Sequence, residues 1–424
     1  MSYCDFVAFY HLILHFQSPH VLDYYVMSSP ELLHAAHATH ETMRQIRRTL
    51  HRNPELSFQE YETSKFIQQR LAELGIPFRV LANTGVVAHI GEGDRCVALR
   101  ADIDALPIQE ESGVEYSSTK EGVMHACGHD AHTAMLLGAA QILKEREAVE
   151  GASSLGGVIK LIFQPGEEMS PGGASIMIRE GVLENPRPEA IFGQHVNPDD
   201  PCGKASFVAG TMMAATDELY WTIRGKSGHA AQPHKATDPV LMAAHLITQL
   251  QTLISRRLNP FESGVMSICT IHGGHATNVI PDVVEMSGTL RSMNLAWREA
   301  ALQTLQEHTK ILGASPLYGG GEAELRIERG YPPLVNNPQT TAFARQVSEH
   351  LIGAENVEDF EPKMWGEDFA YYTHEIPGTF WMLGIRPPHL DFTPGLHNSK
   401  FILDENALPI GAALLVNAAL QHLS

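Results

Sequence analysis

Apolar residues recur with helical spacing near the start of the chain, and this pattern predicts a helix from Glu31 to Arg52. A second helical pattern runs from Glu60 to Leu74 and ends at Gly75-Ile76-Pro77. Short β-branched and apolar runs then predict strands at 80–81, 86–90, 96–99, 158–163 and 190–193. Helical patterns at 130–145 and 172–183 lie between them. Strands that alternate with helices indicate an α/β fold with a mainly parallel sheet covered by helices on both faces.

The pattern changes between residues 214 and 328. Strands are predicted at 218–224, 264–272, 283–291 and 324–329, with helices at 238–257 and 296–312. This β-α-β-β-α-β order is the ferredoxin-like plan, inserted into a larger domain made of residues 27–213 and 329–424. That larger domain resumes with a helix at 338–352, a strand at 379–383 and a final helix from Asn406 or Leu408 to His422. Met27 precedes a typical helix opening, so residues 1–26 are expected to be an extension outside the fold.

Three predicted strands of the larger domain end in polar residues. One ends in Asp102-Ile103-Asp104, one in Gln164-Pro165-Gly166-Glu167-Glu168 and one in Gln194-His195. Ligands of open α/β sheets bind beyond the carboxyl ends of the strands. The three endings therefore predict one shared cleft.

Residues 125–132 contain one thiol, three imidazoles and one carboxylate just before a helical run. Thiolate and imidazole suit zinc and its first-row neighbours, and Gly128 lets the backbone bend between Cys127 and His129. A polar helix start with solvated histidines is the alternative interpretation. The acidic and histidine-containing strand ends elsewhere in the chain favour a metal site.

The pair Glu167 and Glu168 follows a strand and the breakers Pro165-Gly166. If a metal ion binds here, one of the two adjacent carboxylates can act as its ligand and the other as a general base. Two surface acids in a loop are the alternative. His195, at the end of an apolar strand, is favoured as a ligand by the cleft argument, whereas His397 lies in a Pro/Gly-containing loop where a histidine is commonly just exposed.

Composition narrows the possible partners. The chain has 424 residues, a formal net charge of −19 and 44% hydrophobic residues, which suits a soluble globular enzyme and disfavours nucleic acid or an anionic membrane as partner. Five cysteines in no framework spacing favour a reducing compartment, so a cytoplasmic location is expected. The apolar stretch Phe6–Phe16 is too short to span a bilayer and lacks a basic flank, so it does not predict a signal peptide.

Seven motifs in the chain resemble those of the N-acyl-amino-acid amidohydrolases, the branch of the dinuclear metallopeptidases that includes hippurate hydrolase, bacterial aminoacylase and the auxin-conjugate hydrolases. They lie, in family order, at 101–107, 125–130, 164–168, 228–231, 278–281, 366–369 and 396–397. The resemblance covers about residues 30 to 424. Two departures stand out: Gly166 occupies a position where the family usually has alanine, and Asp102-Ile103-Asp104 replaces the His-x-Asp motif of the wider superfamily.

The resemblance implies a set of site residues. The metal ligands would be Cys127, His129, Glu168, His195 and His397, holding two divalent ions per subunit, with zinc or manganese favoured over cobalt or nickel. Glu167 would be the general base. His229 would stabilise the oxyanion from a neighbouring subunit, Asn278 would assist it, and Arg291 and Gly366 would bind substrate. The inserted domain would then be a lid and dimerisation domain of a homodimer or a higher homo-oligomer.

The function expected from this resemblance is hydrolysis of the amide bond of a small-molecule N-acyl L-amino acid by a metal-activated water. A carboxypeptidase or dipeptidase is the alternative within the same chemistry. A metal-binding protein that has lost turnover is a rival of another class, and the intact Glu167 argues against it. A zinc deaminase is disfavoured because the chain lacks Pro-Cys-x-x-Cys.

Overall fold

The computed structural model describes residues 27–424, and the sequence predictions about residues 1–26 lie outside it. The helices are α1 (Ser29–Ala38), α2 (His40–Arg52), α3 (Tyr61–Glu73), α4 (His129–Glu150), α5 (Gly173–Arg179), α6 (Pro239–Leu250), α7 (Leu295–Gly313), α8 (Pro338–Ile352), α9 (Ala370–Glu375) and α10 (Ala407–Leu423). The strands are β1 (Phe78–Leu81), β2 (Gly85–Ile90), β3 (Cys96–Asp102), β4 (Val158–Gln164), β5 (Ala190–Pro201), β6 (Ala205–Phe207), β7 (Gly210–Met213), β8 (Ala215–Arg224), β9 (Gly228–His229), β10 (Gly264–His272), β11 (Val279–Ile280), β12 (Val283–Ser292), β13 (Glu322–Arg329), β14 (Leu334–Asn336), β15 (Val357–Asp359) and β16 (Gly378–Arg386).

An eight-stranded sheet forms the centre of the larger part, in the order β1-β2-β4-β3-β5-β16-β6-β15. Its central strands β4, β3, β5 and β16 are parallel, which confirms the predicted α/β fold. All seven residues of β3 are buried, as expected for a strand covered on both faces. Val97 and Leu99 belong to one hydrophobic cluster and Ala98 to the other, so helices pack on each side.

The edges of this sheet depart from the simple parallel plan. β1 is antiparallel to β2, β2 is antiparallel to β4, and β6 is antiparallel to β16. Short strands joined by tight connections cannot make parallel crossovers, so the sequence order β1-β2 gives an antiparallel pair. Strand periodicity alone did not predict these directions.

Three predicted helices have different bounds in the structure. The Glu31–Arg52 helix is two helices, α1 and α2, interrupted at Thr39, whose hydroxyl donates to the carbonyl of Ala36 at 2.9 Å. The helix predicted at 172–183 ends at Arg179, and the chain then turns at Gly181 with φ +82°. The helix predicted at 238–257 ends at Leu250 and is followed by a π-helical turn, Leu253–Arg257.

A second, antiparallel sheet forms between residues 215 and 329, in the order β10-β12-β8-β13, and α6 and α7 pack against it. Numbered along the unit, this order is 2-3-1-4 with two helices, the ferredoxin-like arrangement predicted from the sequence. The chain enters through β8 and leaves through β13, which are neighbours in the sheet. Among the described residues, no helix is long and apolar enough to cross a membrane.

Candidate metal centre and active-site cavity

The parallel direction of β3 and β4 brings their carboxyl ends to one edge of the large sheet. Asp102 at the end of β3 is in register with Gln164 at the end of β4, and the start of α4 lies beside them because Thr133 bonds the Asp102 carbonyl. The endings of β3 and β4 therefore meet in one place, as predicted. The predicted ending of β5 at His195 is wrong, because the strand continues to Pro201, and His195 joins the same place from within the strand.

All five predicted metal ligands lie in overlapping groups at this edge. Within each group the possible ligand atoms lie within 4.8 Å of one another, and the groups are Cys127/His129/His195, Cys127/Glu168/His397 and His129/Glu167/Glu168. The Sγ of Cys127 is 3.4 Å from the Nε2 of His195. The Oε1 of Glu168 is 3.1 Å from the Nε2 of His397 and 3.9 Å from the Nε2 of His129.

Two glycines shape the turns that carry these ligands. Gly128 has φ +85°, and a Cβ there would lie 2.5 Å from the side chain of Val196. Gly166 has φ +60°, and a Cβ there would lie 2.4 Å from the ring of Phe58. Glycine is therefore the residue that both turns need, and the departure at Gly166 fits its surroundings in this chain.

The orientation of the imidazoles suits metal binding. The Nδ1 of His129 contacts the Oδ1 of Asp104 at 3.2 Å, and the Nδ1 of His195 contacts the carbonyl of Val196 at 2.8 Å. In both rings this leaves Nε2 facing the cluster, and the buried Nε2 of His129 has no hydrogen-bond partner among residues 27–424. Metal-ligating histidines commonly have one nitrogen tied in this way. Burial, with the charges of Glu168 and Glu167, raises the pKa of the Cys127 thiol, so a divalent cation beside it would be needed to stabilise the thiolate.

Asp102 and Asp104 lie next to the Nδ1 of His129, at 3.8 and 3.2 Å. Asp104 accepts hydrogen bonds from the hydroxyl of Ser57 at 2.6 Å and from the backbone N–H of Glu168 at 3.0 Å, besides its contact with His129. Burial opposes the charged form of His129, but Asp102 and Asp104 raise its pKa to about 10.

His132 is close to the cluster but is already engaged. Its Nδ1 lies 2.6 Å from Asp102, and its Nε2 accepts the N–H of Val196 at 2.9 Å. Because Nε2 is an acceptor here, Nδ1 carries the proton and donates to Asp102. His132 therefore has no free lone pair for a metal.

Glu167 belongs to an acidic group next to the candidate ligands. Its carboxylate forms a group with those of Glu367 and Asp368, with oxygens within 4.8 Å of one another. Burial raises the pKa of Glu167 well above its usual range, and the charges of Glu367 and Glu168 add to the shift. The fully buried Arg100 lies 2.8 Å from Asp368 and 3.1 Å from Glu367. A carboxylate in this environment binds a proton strongly, which is the property of a general base.

A cavity of about 610 Å³ opens over the cluster. Besides candidate ligands and Glu167, the predicted substrate-binding residues Arg291 and Gly366 line it. Arg291 is half-buried, burial lowers its pKa, and it forms no ion pair within the described part of the chain. A Cβ at Gly366 would lie 2.7 Å from the side chain of Thr216, so this position in the cavity wall has no room for a larger residue.

His229 and Asn278 do not line the cavity of their own chain. Both are exposed. They lie together where β9 pairs with β11, and the N–H of Ala230 donates to the carbonyl of Asn278 at 3.0 Å. The structure thus brings these two residues to each other and not to the cluster.

Comparison with known proteins places the chain in a family. A model described as Peptidase family M20/M25/M40 matches residues 98–421, and the chain belongs to this family. An IAA-amino acid hydrolase of Arabidopsis thaliana, ILR1-like 5, is 41% identical over 386 residues, covering 89% of this chain and 86% of that protein. Thermostable carboxypeptidase 2 of Saccharolobus solfataricus is 38% identical over 374 residues, covering 87% of this chain and 92% of that protein. A crystal structure of a dinuclear metal-binding peptidase of the M20 family from Bacillus subtilis has a TM-score of 0.77 at 34% identity, covering 91% of this chain and 99% of that chain.

These findings confirm the family resemblance and identify the chain as an amide-cleaving hydrolase. Several residues that shape the site were not predicted from the sequence, namely Arg100, Thr216, Tyr331, Trp365 and Glu367. Glu367 lies within a recognised motif and could have been found there. Tyr331 follows a strand of the inserted unit, and nothing in its local sequence points toward the cavity.

Proposed function

We propose that this chain hydrolyses the amide bond of N-acyl L-amino acids, releasing a carboxylic acid and the free amino acid. The observation that carries the proposal is Arg291, a half-buried guanidinium without an ion pair among residues 27–424, in the same cavity as Glu167. A planar fork of donors suits the free carboxylate of an acyl amino acid. The remaining charged groups of the cavity wall are acidic or are candidate ligands.

The residues proposed to hold two divalent cations are Cys127, His129, Glu168, His195 and His397. Their mixture of thiolate, imidazole and carboxylate suits zinc or manganese, and also accepts cobalt or nickel. Divalent cations, when bound, supply Lewis acidity that polarises an amide carbonyl and makes water nucleophilic at neutral pH.

Glu167 is proposed as the base that takes a proton from the attacking water. It is next to a candidate ligand, and burial raises the pKa of its carboxyl group, so its carboxylate form is a stronger proton acceptor than an exposed glutamate. The same carboxyl group can then deliver that proton to the leaving amine, as general acid–base catalysis requires.

His229 and Asn278 are proposed to act in the cavity of a second copy of the chain. Their exposed position outside their own cavity supports this. A mixture of the inactive variants His229→Ala and Glu167→Gln would then regain activity on subunit exchange. In an equimolar random mixture of dimers, recovery should approach about a quarter of wild-type activity. No recovery despite verified exchange would place His229 in its own subunit.

The second candidate is a carboxypeptidase or dipeptidase, which the similarity to the Saccharolobus carboxypeptidase favours. Asp199, an exposed carboxylate at the cavity wall, could pair with the ammonium group of a peptide substrate. A panel of N-acetyl, N-benzoyl and N-indoleacetyl amino acids, blocked dipeptides and free dipeptides such as Gly-Gly separates the candidates. Hydrolysis of the acyl amino acids supports our proposal, and cleavage confined to peptides refutes it.

Adjacent glutamates offer a matched pair of variants for the chemistry. Glu167→Gln removes the proposed base and no ligand, so bound metal should be retained while kcat falls by roughly 10²–10⁴-fold. Glu168→Gln removes a ligand, so metal content should fall as well. Elemental analysis and kcat on the same preparations test both assignments, and an active, metal-replete Glu167→Gln enzyme would disprove the role of Glu167.

A further inference from the structure

Three backbone segments at the base of the inserted unit lie side by side and are joined by hydrogen bonds, and together they form a row. Thr216 of β8 is paired with Arg291 of β12. On its other side, the N–H of Thr216 donates to the carbonyl of Tyr331 at 3.1 Å, and the N–H of Gly330 donates to the carbonyl of Thr216 at 2.9 Å. Arg291, Thr216 and Tyr331 therefore lie side by side on three adjacent segments, and all three line the cavity.

A buried ion pair holds this row together. Arg298 of α7 binds both oxygens of Asp217, with Nε–Oδ2 and Nη2–Oδ1 distances of 2.8 and 2.7 Å. Its Nη2 also donates to the carbonyl of Gly330 at 3.0 Å. The hydroxyl of Thr289, in β12, donates to the Asp217 carbonyl at 3.0 Å. Bidentate contacts fix both distance and angle, so the three segments should move as one unit.

Tyr331 extends from this row into the metal-binding part of the chain. Its hydroxyl donates to the backbone carbonyl of Glu167, and its side chain is buried. The ring packs edge-on against Tyr371 at 6.1 Å and lies over Gly172, where a Cβ would be 2.9 Å from it. Burial and the charge of Asp368 raise the pKa of Tyr331, so the hydroxyl keeps its proton and remains a donor.

We infer that Tyr331 is a positioning residue that couples the occupancy of Arg291 to the placement of Glu167. The inference rests on the proposed function, in which Arg291 binds the substrate carboxylate and Glu167 is the base. A substrate carboxylate that binds Arg291 shifts the hydrogen-bonded segments that carry Arg291, Thr216 and Tyr331. The Tyr331 hydroxyl, which donates to the Glu167 carbonyl, passes this shift to the backbone of the base.

The test compares Tyr331→Phe with Tyr371→Phe, which removes the hydroxyl of the neighbouring ring. Each enzyme is assayed on a pair of substrates, an N-acyl amino acid and its carboxamide, which offers Arg291 no carboxylate. For Tyr331→Phe we expect kcat on the acid to fall on the order of ten- to a hundredfold, kcat on the amide to change less than about threefold, and KM to stay within about twofold. Tyr371→Phe should resemble the wild type on both substrates.

A role limited to fold stability would lower the melting temperature and leave the ratio of the two kcat values unchanged. Equal losses on both substrates, or losses shared by Tyr371→Phe, would overturn the coupling. Arg298→Lys gives a second measurement if Tyr331→Phe folds poorly, because it loosens the same row and keeps the Tyr331 hydroxyl; the acid-to-amide ratio of kcat should again fall. If the wild type cleaves no N-acyl amino acid, the proposed function fails, and the coupling is then tested on the acid and amide forms of the peptide it does cleave.

Discussion

Asp104→Asn tests whether the carboxylate beneath the ligands sets the protonation of His129. In the wild type one carboxylate oxygen, Oδ2, accepts two donors, the hydroxyl of Ser57 at 2.6 Å and the N–H of Glu168 at 3.0 Å. The other, Oδ1, faces the Nδ1 of His129 at 3.2 Å. An asparagine would keep its oxygen toward the two donors, which leaves its NH₂ group facing the imidazole.

The NH₂ group of the asparagine and the Nδ1–H of His129 would then be two donors that face each other. The imidazole avoids this repulsion when its proton lies on Nε2 and not on Nδ1. The nitrogen that faces the cluster then has no lone pair for a metal. Loss of such a supporting contact typically costs 10–100-fold in metal affinity, which corresponds to about 1.4–2.7 kcal/mol. The fold should survive, because the introduced amide oxygen would still accept the hydrogen bonds of Ser57 and Glu168.

The assay is titration of the metal-free protein with Zn²⁺ or Mn²⁺ against a competing chelator, with circular dichroism as a check on folding. Ser57→Ala is the control, since it removes one donor to Oδ2 and leaves the contact between Asp104 and His129. We expect this variant to bind metal within a few-fold of the wild type. Wild-type affinity in Asp104→Asn, or equal weakening in the two variants, would refute the tautomer argument.

Three further results are expected. Arg291→Ala should raise KM for N-acyl amino acids by about 10–100-fold, as for the loss of a charged hydrogen-bonded contact, and should leave KM for their amides nearly unchanged; equal increases would show a structural role. Gly166→Ala should lower stability by more than Gly113→Ala, because both have positive φ (+60° and +74°) but only the first places a Cβ against Phe58, and comparable urea midpoints would contradict this. Burial raises the pKa of Glu60 to about 7 from 4.5, so its folded form binds more protons than the unfolded chain and stability should decline as pH rises through this window; Glu60→Gln should flatten that decline in urea unfolding of the metal-free protein, and an unchanged slope would count against the shift.

The sequence predicted the parts of this molecule that depend on local pattern. β3 and β4 are mainly apolar runs with acids at or soon after their ends, so both the strands and the meeting of their ends could be inferred. Thr39 was harder to interpret, because a threonine within a helical pattern can either continue the helix or end it by bonding to a nearby carbonyl. The antiparallel edge strands depend on pairing between segments, which periodicity does not report.

The same distinction applies to the site. Four candidate ligands and Glu167 lie in recognised motifs, and His195 was inferred from its position at the end of a predicted strand. Arg100 and Tyr331 form hydrogen bonds with residues far along the chain, Asp368 and Glu167 respectively. A buried arginine in a strand and a tyrosine after one carry no local sign of such partners. Three-dimensional packing alone brings these groups together.

The chain enters and leaves the inserted unit at hydrogen-bonded neighbours, Thr216 and Tyr331, and this has an evolutionary consequence. A segment whose two ends meet can be lengthened, shortened or replaced without cutting the large sheet. His229, Asn278 and Arg291 lie in that segment, whereas the candidate ligands and Glu167 lie outside it. Substrate range can therefore diverge among descendants while the hydrolytic centre is inherited intact. Substitutions at the junction of Thr216 and Tyr331 must therefore remain compatible with both the inserted unit and the domain that holds the large sheet.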